Sequence, residues 1–154
     1  LALLHKGHPP KVKDRKVSLR ELTQKAIQIL SNDEDGFFLM VEGSQIDWAG
    51  HANDKDYIVS ELIDFDEAVG AGLDFAEKNG ETLVIVASDH ETGGFGLNEG
   101  SFEQKKITDP EFTTGGHTAT MVPVMSFGPG MELFNGFTDN AEIGRNIIKL
   151  IQMK

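Results

Sequence analysis

The segment Thr82 to Ala87, T-L-V-I-V-A, constrains this chain more than any other. It has no polar alternation, so a strand formed here buries both of its faces. The covering element is visible just upstream. Between Tyr57 and Lys78, apolar residues Ile58, Leu62, Phe65, Val69, Leu73 and Ala76 recur at helical steps, which predicts a long amphipathic helix. Gly80, after Asn79, supplies its stop. Gly70 and Gly72 each weaken the helix by roughly 1 kcal/mol relative to alanine, and leave room for close packing on a sheet. Before the helix, the apolar run Phe37 to Val41 lies between Gly36 and Gly43 and reads as another buried strand. Strand, helix, strand is a βαβ unit with a right-handed crossover. The expectation is an α/β fold: a largely parallel β-sheet flanked by helices.

The remaining elements follow local signals. Residues 1–17 hold Lys6, Lys11, Lys13, Arg15 and Lys16 around Pro9-Pro10, and read as a linker or exposed arm. His5 and His8 belong to that arm. Ser18-Leu-Arg-Glu21 is a capping box opening a helix whose apolar face is Leu19, Leu22, Ala26, Ile29 and Leu30. Residues 31–36 form a turn cluster. Residues 93–114 read as a long loop with room for a short hairpin, and Met121 to Phe127 as a third strand ended by Gly128-Pro129-Gly130. Asp139 caps a final helix, with Glu142 three residues on and Ile143, Ile147, Leu150 and Ile151 facing the core.

Composition narrows the function. At 154 residues the chain suffices for one core of ordinary size. It carries 25 acidic and 14 basic residues, a formal charge of −11. That argues against nucleic acid, whose phosphates need basic surface. It would also repel a phosphoester unless bound cations reverse the local field; a solubilising acidic surface explains the charge equally well. The absence of cysteine excludes disulfides and thiolate metal sites. No apolar run approaches the roughly 18 residues needed to span a membrane. Leu1 to Leu4 is too short for a signal-peptide core.

Five residues beside the apolar runs carry metal-binding character. Asp47 and His51, in D-W-A-G-H, lie one helical turn apart on a common face. Asp89 and His90 follow the strand at 82–87, and His117 follows Gly115-Gly116. Oxygen and imidazole donors without thiolate suit zinc or a similar divalent ion. The plainer readings are a helix cap and a hydrogen-bonded histidine for the first pair, and a strand-end cap for Asp89. Adjacent residues diverge off a strand end, so Asp89 and His90 meet one ion only if the backbone turns there. Glu42 ends the run at 37–41 as either a hard oxygen ligand or a charged terminus. Glu91 and Thr92 are candidates to orient the histidines. Ser88 fills a small-residue position at the strand end. Trp48 either walls the pocket or packs ordinarily.

Three segments in order, E-G-S-Q-I-D-W-A-G-H at 42–51, S-D-H-E-T-G-G-F at 88–95 and T-G-G-H-T-A-T at 114–120, resemble the C-terminal part of the bacterial alkaline phosphatases. The resemblance runs from about Ser18 to the last helix and implies an alkaline-phosphatase-like catalytic domain over 18–154, incomplete because the N-terminal half is absent. It assigns Asp47, His51 and His117 to one zinc site, Asp89 and His90 to a second, and Glu42 to a magnesium site. It further implies phosphate monoesters as substrates, a homodimer, and a periplasmic or secreted location. In the resembled enzymes a serine attacks phosphorus and an arginine clamps the phosphoryl oxygens. No match to that nucleophile's context occurs in this chain, which is therefore expected to be inactive alone. The alternatives are another metal phosphoesterase (a phosphodiesterase, phosphoglycerate mutase or sulfatase) and a non-catalytic zinc-binding module.

Overall fold

The computed structural model describes residues 5–152, so Leu1 to Leu4 lie outside the described residues. Among the described residues there are four α-helices, α1 (Leu19–Leu30), α2 (Gln45–His51), α3 (Lys55–Asn79) and α4 (Asn140–Gln152), and two short 3-10 turns at Val12–Asp14 and Met131–Phe134. The strands are β1 (Val84–Ala87), β2 (Glu91–Thr92), β3 (Gly96–Ser101), β4 (Lys106–Glu111), β5 (His117–Thr118) and β6 (Val124–Phe127).

The start of α1 and the end of α3 form where the sequence places them, while α3 starts two residues earlier than its apolar spacing suggests, at Lys55. The Ser18 side chain accepts from the Glu21 backbone N–H, while Glu21 reaches back to Ser18 N at 2.8 Å. Those bonds, the backbone one first, hold the Glu21 carboxyl below its ordinary pKa. A lowered carboxylate pKa strengthens the cap above the unfolded-state value, and that contribution is lost as pH falls through the folded-state value. Replacing Ser18 with alanine is expected to destabilise the chain by about 1 kcal/mol in urea denaturation. Asp54 caps α3 by accepting from Tyr57 N at 3.1 Å, and Gly80 closes it in the left-handed conformation, φ 73°.

The strands pair differently from the parallel sheet expected above. Among the described residues there are three two-stranded sheets, β1–β6, β2–β5 and β3–β4, and all are antiparallel. An apolar run does not specify the direction of the neighbouring strand, and the two-sided burial expected of the run at 82–87 is not reached among the described residues: Val84 to Val86 are half-buried and Ala87 is exposed. The run at 37–41 has no ladder partner among the described residues, and Phe38 and Met40 are 63% and 76% exposed. The βαβ crossover is therefore not closed within them. The long loop does contain a hairpin, β3–β4, with register shifts near Glu99.

Two packing arrangements position the site. Ala49, Tyr57 and Ile58 form a buried cluster with Ile46, Val59, Phe95 and Phe112 around it, joining α2, the start of α3 and the base of the hairpin. The basic arm is fastened to α3. Arg15 Nη2 lies 2.7 Å from Glu61 and 2.8 Å from Asp64, Val12 N donates to Glu61 at 2.8 Å, and Leu19 N donates to Asp64 at 3.3 Å. Nearer the site, Gln45 donates to the Pro9 carbonyl at 3.0 Å, and His8 meets Trp48 edge-on, 4.6 Å between centroids. The Tyr57 hydroxyl donates to Gln45 Oε1.

Candidate metal centre

α2 is a single short helix, and Asp47 and His51 lie four residues apart on it, so both side chains leave from one face. β5 delivers His117 to that face. The Asp47 Oδ1 to His51 Nε2 distance is 3.5 Å, Asp47 Oδ1 to His117 Nε2 is 3.4 Å, and His51 Nε2 to His117 Nε2 is 3.1 Å. A tetrahedral zinc with bonds of roughly 2.0–2.1 Å has ligand–ligand edges of about 3.3–3.4 Å. The three donor atoms therefore outline one face of such a tetrahedron, leaving the opposite corner open. All three side chains are partly exposed, which leaves a route for an ion from solvent.

The donor chemistry agrees with the distances. His51 Nδ1 lies 2.7 Å from the Gly115 carbonyl oxygen, which can only accept. His51 therefore carries its proton on Nδ1 and, when neutral, presents a lone pair from Nε2. That lone pair faces a carboxylate oxygen and a second imidazole nitrogen. A cation, or a proton on His117, removes the repulsion among them.

Asp89 and His90 form a second pair. Ser88 Oγ donates to the His90 carbonyl at 2.7 Å and folds the chain tightly after β1. The neighbouring side chains converge at this turn, with His90 Nε2 3.2 Å from Asp89 Oδ2. The His90 ring stacks on His117, 3.6 Å between centroids at 19°. A cavity of about 370 Å³ opens beside Asp89 and His90, lined also by Ser88, Thr118, Thr120 and Thr138. Glu42 is exposed and makes no hydrogen bond or ion pair among the described residues.

The surrounding groups divide the supporting work. Thr92 donates to Asp47 Oδ1 at 2.6 Å and lies 3.2 Å from His90 Nδ1. Glu91 touches no histidine nitrogen. It accepts from Gly94 N and Phe95 N, both at 3.1 Å, and from the Thr118 hydroxyl. Partial burial raises the Glu91 pKa, but the bonds from Thr118, Phe95 and Gly94, with the nearby His117, outweigh it and hold the carboxyl below its ordinary range. Gly50 lets α2 approach β2: a Cβ there would sit 2.6 Å from the Thr92 carbonyl oxygen. The Gly115 carbonyl had no sequence signal, because a backbone acceptor depends on chain path alone.

Helices against short strands, with a carboxylate–imidazole cluster at a strand end, define the kind of chain this is. Residues 8–108 match the family model for alkaline phosphatase. Alkaline phosphatase 3 of Bacillus subtilis is 34% identical over 224 residues, covering 99% of this chain and 48% of the relative. Among solved structures, alkaline phosphatase from the Antarctic bacterium TAB5 superposes with a TM-score of 0.84 at 48% identity, over 93% of this chain and 43% of that one. A mutant of the TAB5 enzyme with Mg bound in the M3 site gives a TM-score of 0.87 at 47% identity, over 97% and 46%. The chain belongs to the alkaline phosphatase family. It spans about half the length of the curated relatives it matches.

Proposed function

We propose that the protein containing this chain hydrolyses phosphate monoesters, with Asp47, His51 and His117 holding one zinc ion. Asp89 and His90 contribute two ligands to a second zinc, and Glu42 contributes one to a magnesium ion. Residues 18–154 are then the C-terminal part of the catalytic domain, with 1–17 as an arm leading into it. The protein acts as a homodimer in the periplasm or outside the cell; no helix among the described residues is long and apolar enough to cross a membrane.

The observation that carries this reading is the triangle of donor atoms at 3.1, 3.4 and 3.5 Å. Bound there, a divalent cation supplies Lewis-acid polarisation for displacement at phosphorus. The chain's own residues hold and aim the ligands: Gly115 sets the His51 tautomer, Thr92 anchors Asp47, and the stack of His90 on His117 keeps the two ligand groups side by side. Bound cations would also offset the net charge of −11 for an anionic substrate.

The nucleophile and phosphoryl clamp expected of the family have no counterpart in this sequence. The 154-residue chain is therefore expected to bind zinc without turnover. Assaying it with p-nitrophenyl phosphate and excess zinc checks this. Saturable hydrolysis that disappears in His117→Ala would show that the chain is itself sufficient for catalysis.

A further inference from the structure

We propose that the Thr92 hydroxyl is a positioning group shared by both ligand clusters, fixing Asp47 in one and the tautomer of His90 in the other. The inference rests on the metal reading above and adds a coupling between its two sites. It follows from the proton inventory of one buried side chain. Thr92 is 8% exposed and has a single hydroxyl proton. Asp47 Oδ1, 2.6 Å away, is an acceptor when ionised, so that proton points at Asp47. The remaining neighbour, His90 Nδ1 at 3.2 Å, must then donate to the hydroxyl oxygen. A neutral His90 with its proton on Nδ1 presents an Nε2 lone pair, and that atom lies 3.2 Å from Asp89 Oδ2. Two electron-rich atoms are thereby held face to face, the arrangement a cation relieves.

The backbone holds Thr92 in this role. β2 pairs with β5 so that Thr92 stands opposite His117. α2 presses on Thr92 from the other side, since a Cβ on Gly50 would meet the Thr92 Cβ at 3.0 Å and its carbonyl oxygen at 2.6 Å. The hydroxyl cannot turn away without leaving Asp47 and His90 unsupported together. One residue therefore orients a ligand in each cluster, and losing its hydroxyl affects both.

Two measurements test this on the whole chain. Long-range proton–nitrogen NMR of the metal-free protein, at a pH above the ordinary imidazole pKa, reads the His90 tautomer directly. The wild type should carry its proton on Nδ1, Thr92→Val should shift toward Nε2, and Thr92→Ser should restore Nδ1. Zinc titration should show both affinities falling by roughly 10- to 100-fold in Thr92→Val and recovering in Thr92→Ser. An Nε2 proton in the wild type overturns the proposal without need of any variant. Unchanged isotherms in a folded Thr92→Val also overturn it, as does loss at one site only, and either result leaves the metal reading standing. A wild type that binds no zinc removes the metal reading and this coupling with it.

Discussion

Arg15→Ala is expected to destabilise the chain by roughly 3–5 kcal/mol, the usual consequence of removing one partner from a buried ion pair. The side chains of Arg15, Glu61 and Asp64 are 12%, 3% and 8% exposed, so water screens them little. Glu61 and Asp64 lie three residues apart on α3 and are neighbours on its surface. Without the guanidinium, two carboxylates would remain buried side by side, supported among the described residues only by the backbone N–H groups of Val12 and Leu19. Arg15→Lys should recover part of the loss, because a single ammonium supplies charge without the planar fork that reaches both partners. Urea denaturation of the three proteins measures the effect. A change under about 1 kcal/mol in Arg15→Ala would place the cluster with ordinary surface pairs, contrary to its burial.

His117→Ala should lower zinc affinity by on the order of 100-fold or more, given that losing even a partner outside the coordination sphere costs 10- to 100-fold. The substitution leaves Asp47 and His51 on α2 with no third donor among the described residues. It also removes the ring on which His90 stacks. Competition with a chelating indicator gives the affinity. His5→Ala, on the exposed arm, is the matched control and should leave it unchanged. Equal affinities in His117→Ala and the wild type would mean that zinc binds elsewhere on this acidic surface.

What the sequence made legible was local or periodic. The Ser18–Glu21 cap and the stop at Gly80 are each set within one or two helical turns, and each stands in the structure. Asp47 and His51 share a face for the same reason. The apolar spacing of α3 marks the helix but not its buried face: Ile58 and Ala76 are buried, Leu62 and Leu73 are 53% and 37% exposed, and Glu61 and Asp64 are buried in their place. Strand direction was not legible, because the apolar character of β1 and β6 says nothing of their antiparallel register. Arg15 was read with the exposed arm, since its basic neighbours describe only the local composition. Its acidic partners lie 46 and 49 residues away. The convergence of Asp89 and His90 goes with a tight local turn in which the Ser88 hydroxyl donates to the His90 carbonyl, a bond that no spacing rule announces. Thr92 was recognisable as a residue able to orient a histidine, but its contact with Asp47 spans 45 residues and emerges only from the approach of α2 to β2.

The β3–β4 hairpin leaves the body of the chain through a closed neck. Gly93 N donates to the Gly116 carbonyl at 2.9 Å, and Thr113 N and Thr114 N donate back to the Gly93 carbonyl at 3.0 and 3.2 Å. His90 and His117 lie on the inner side of that neck, and everything from Gly96 to Glu111 lies beyond it. Doubling the length of a flexible excursion adds only about 0.6 kcal/mol of closure entropy. The tip of the hairpin is thus a place where sequence can be added, trimmed or replaced by a reporter peptide while both histidines keep their stations.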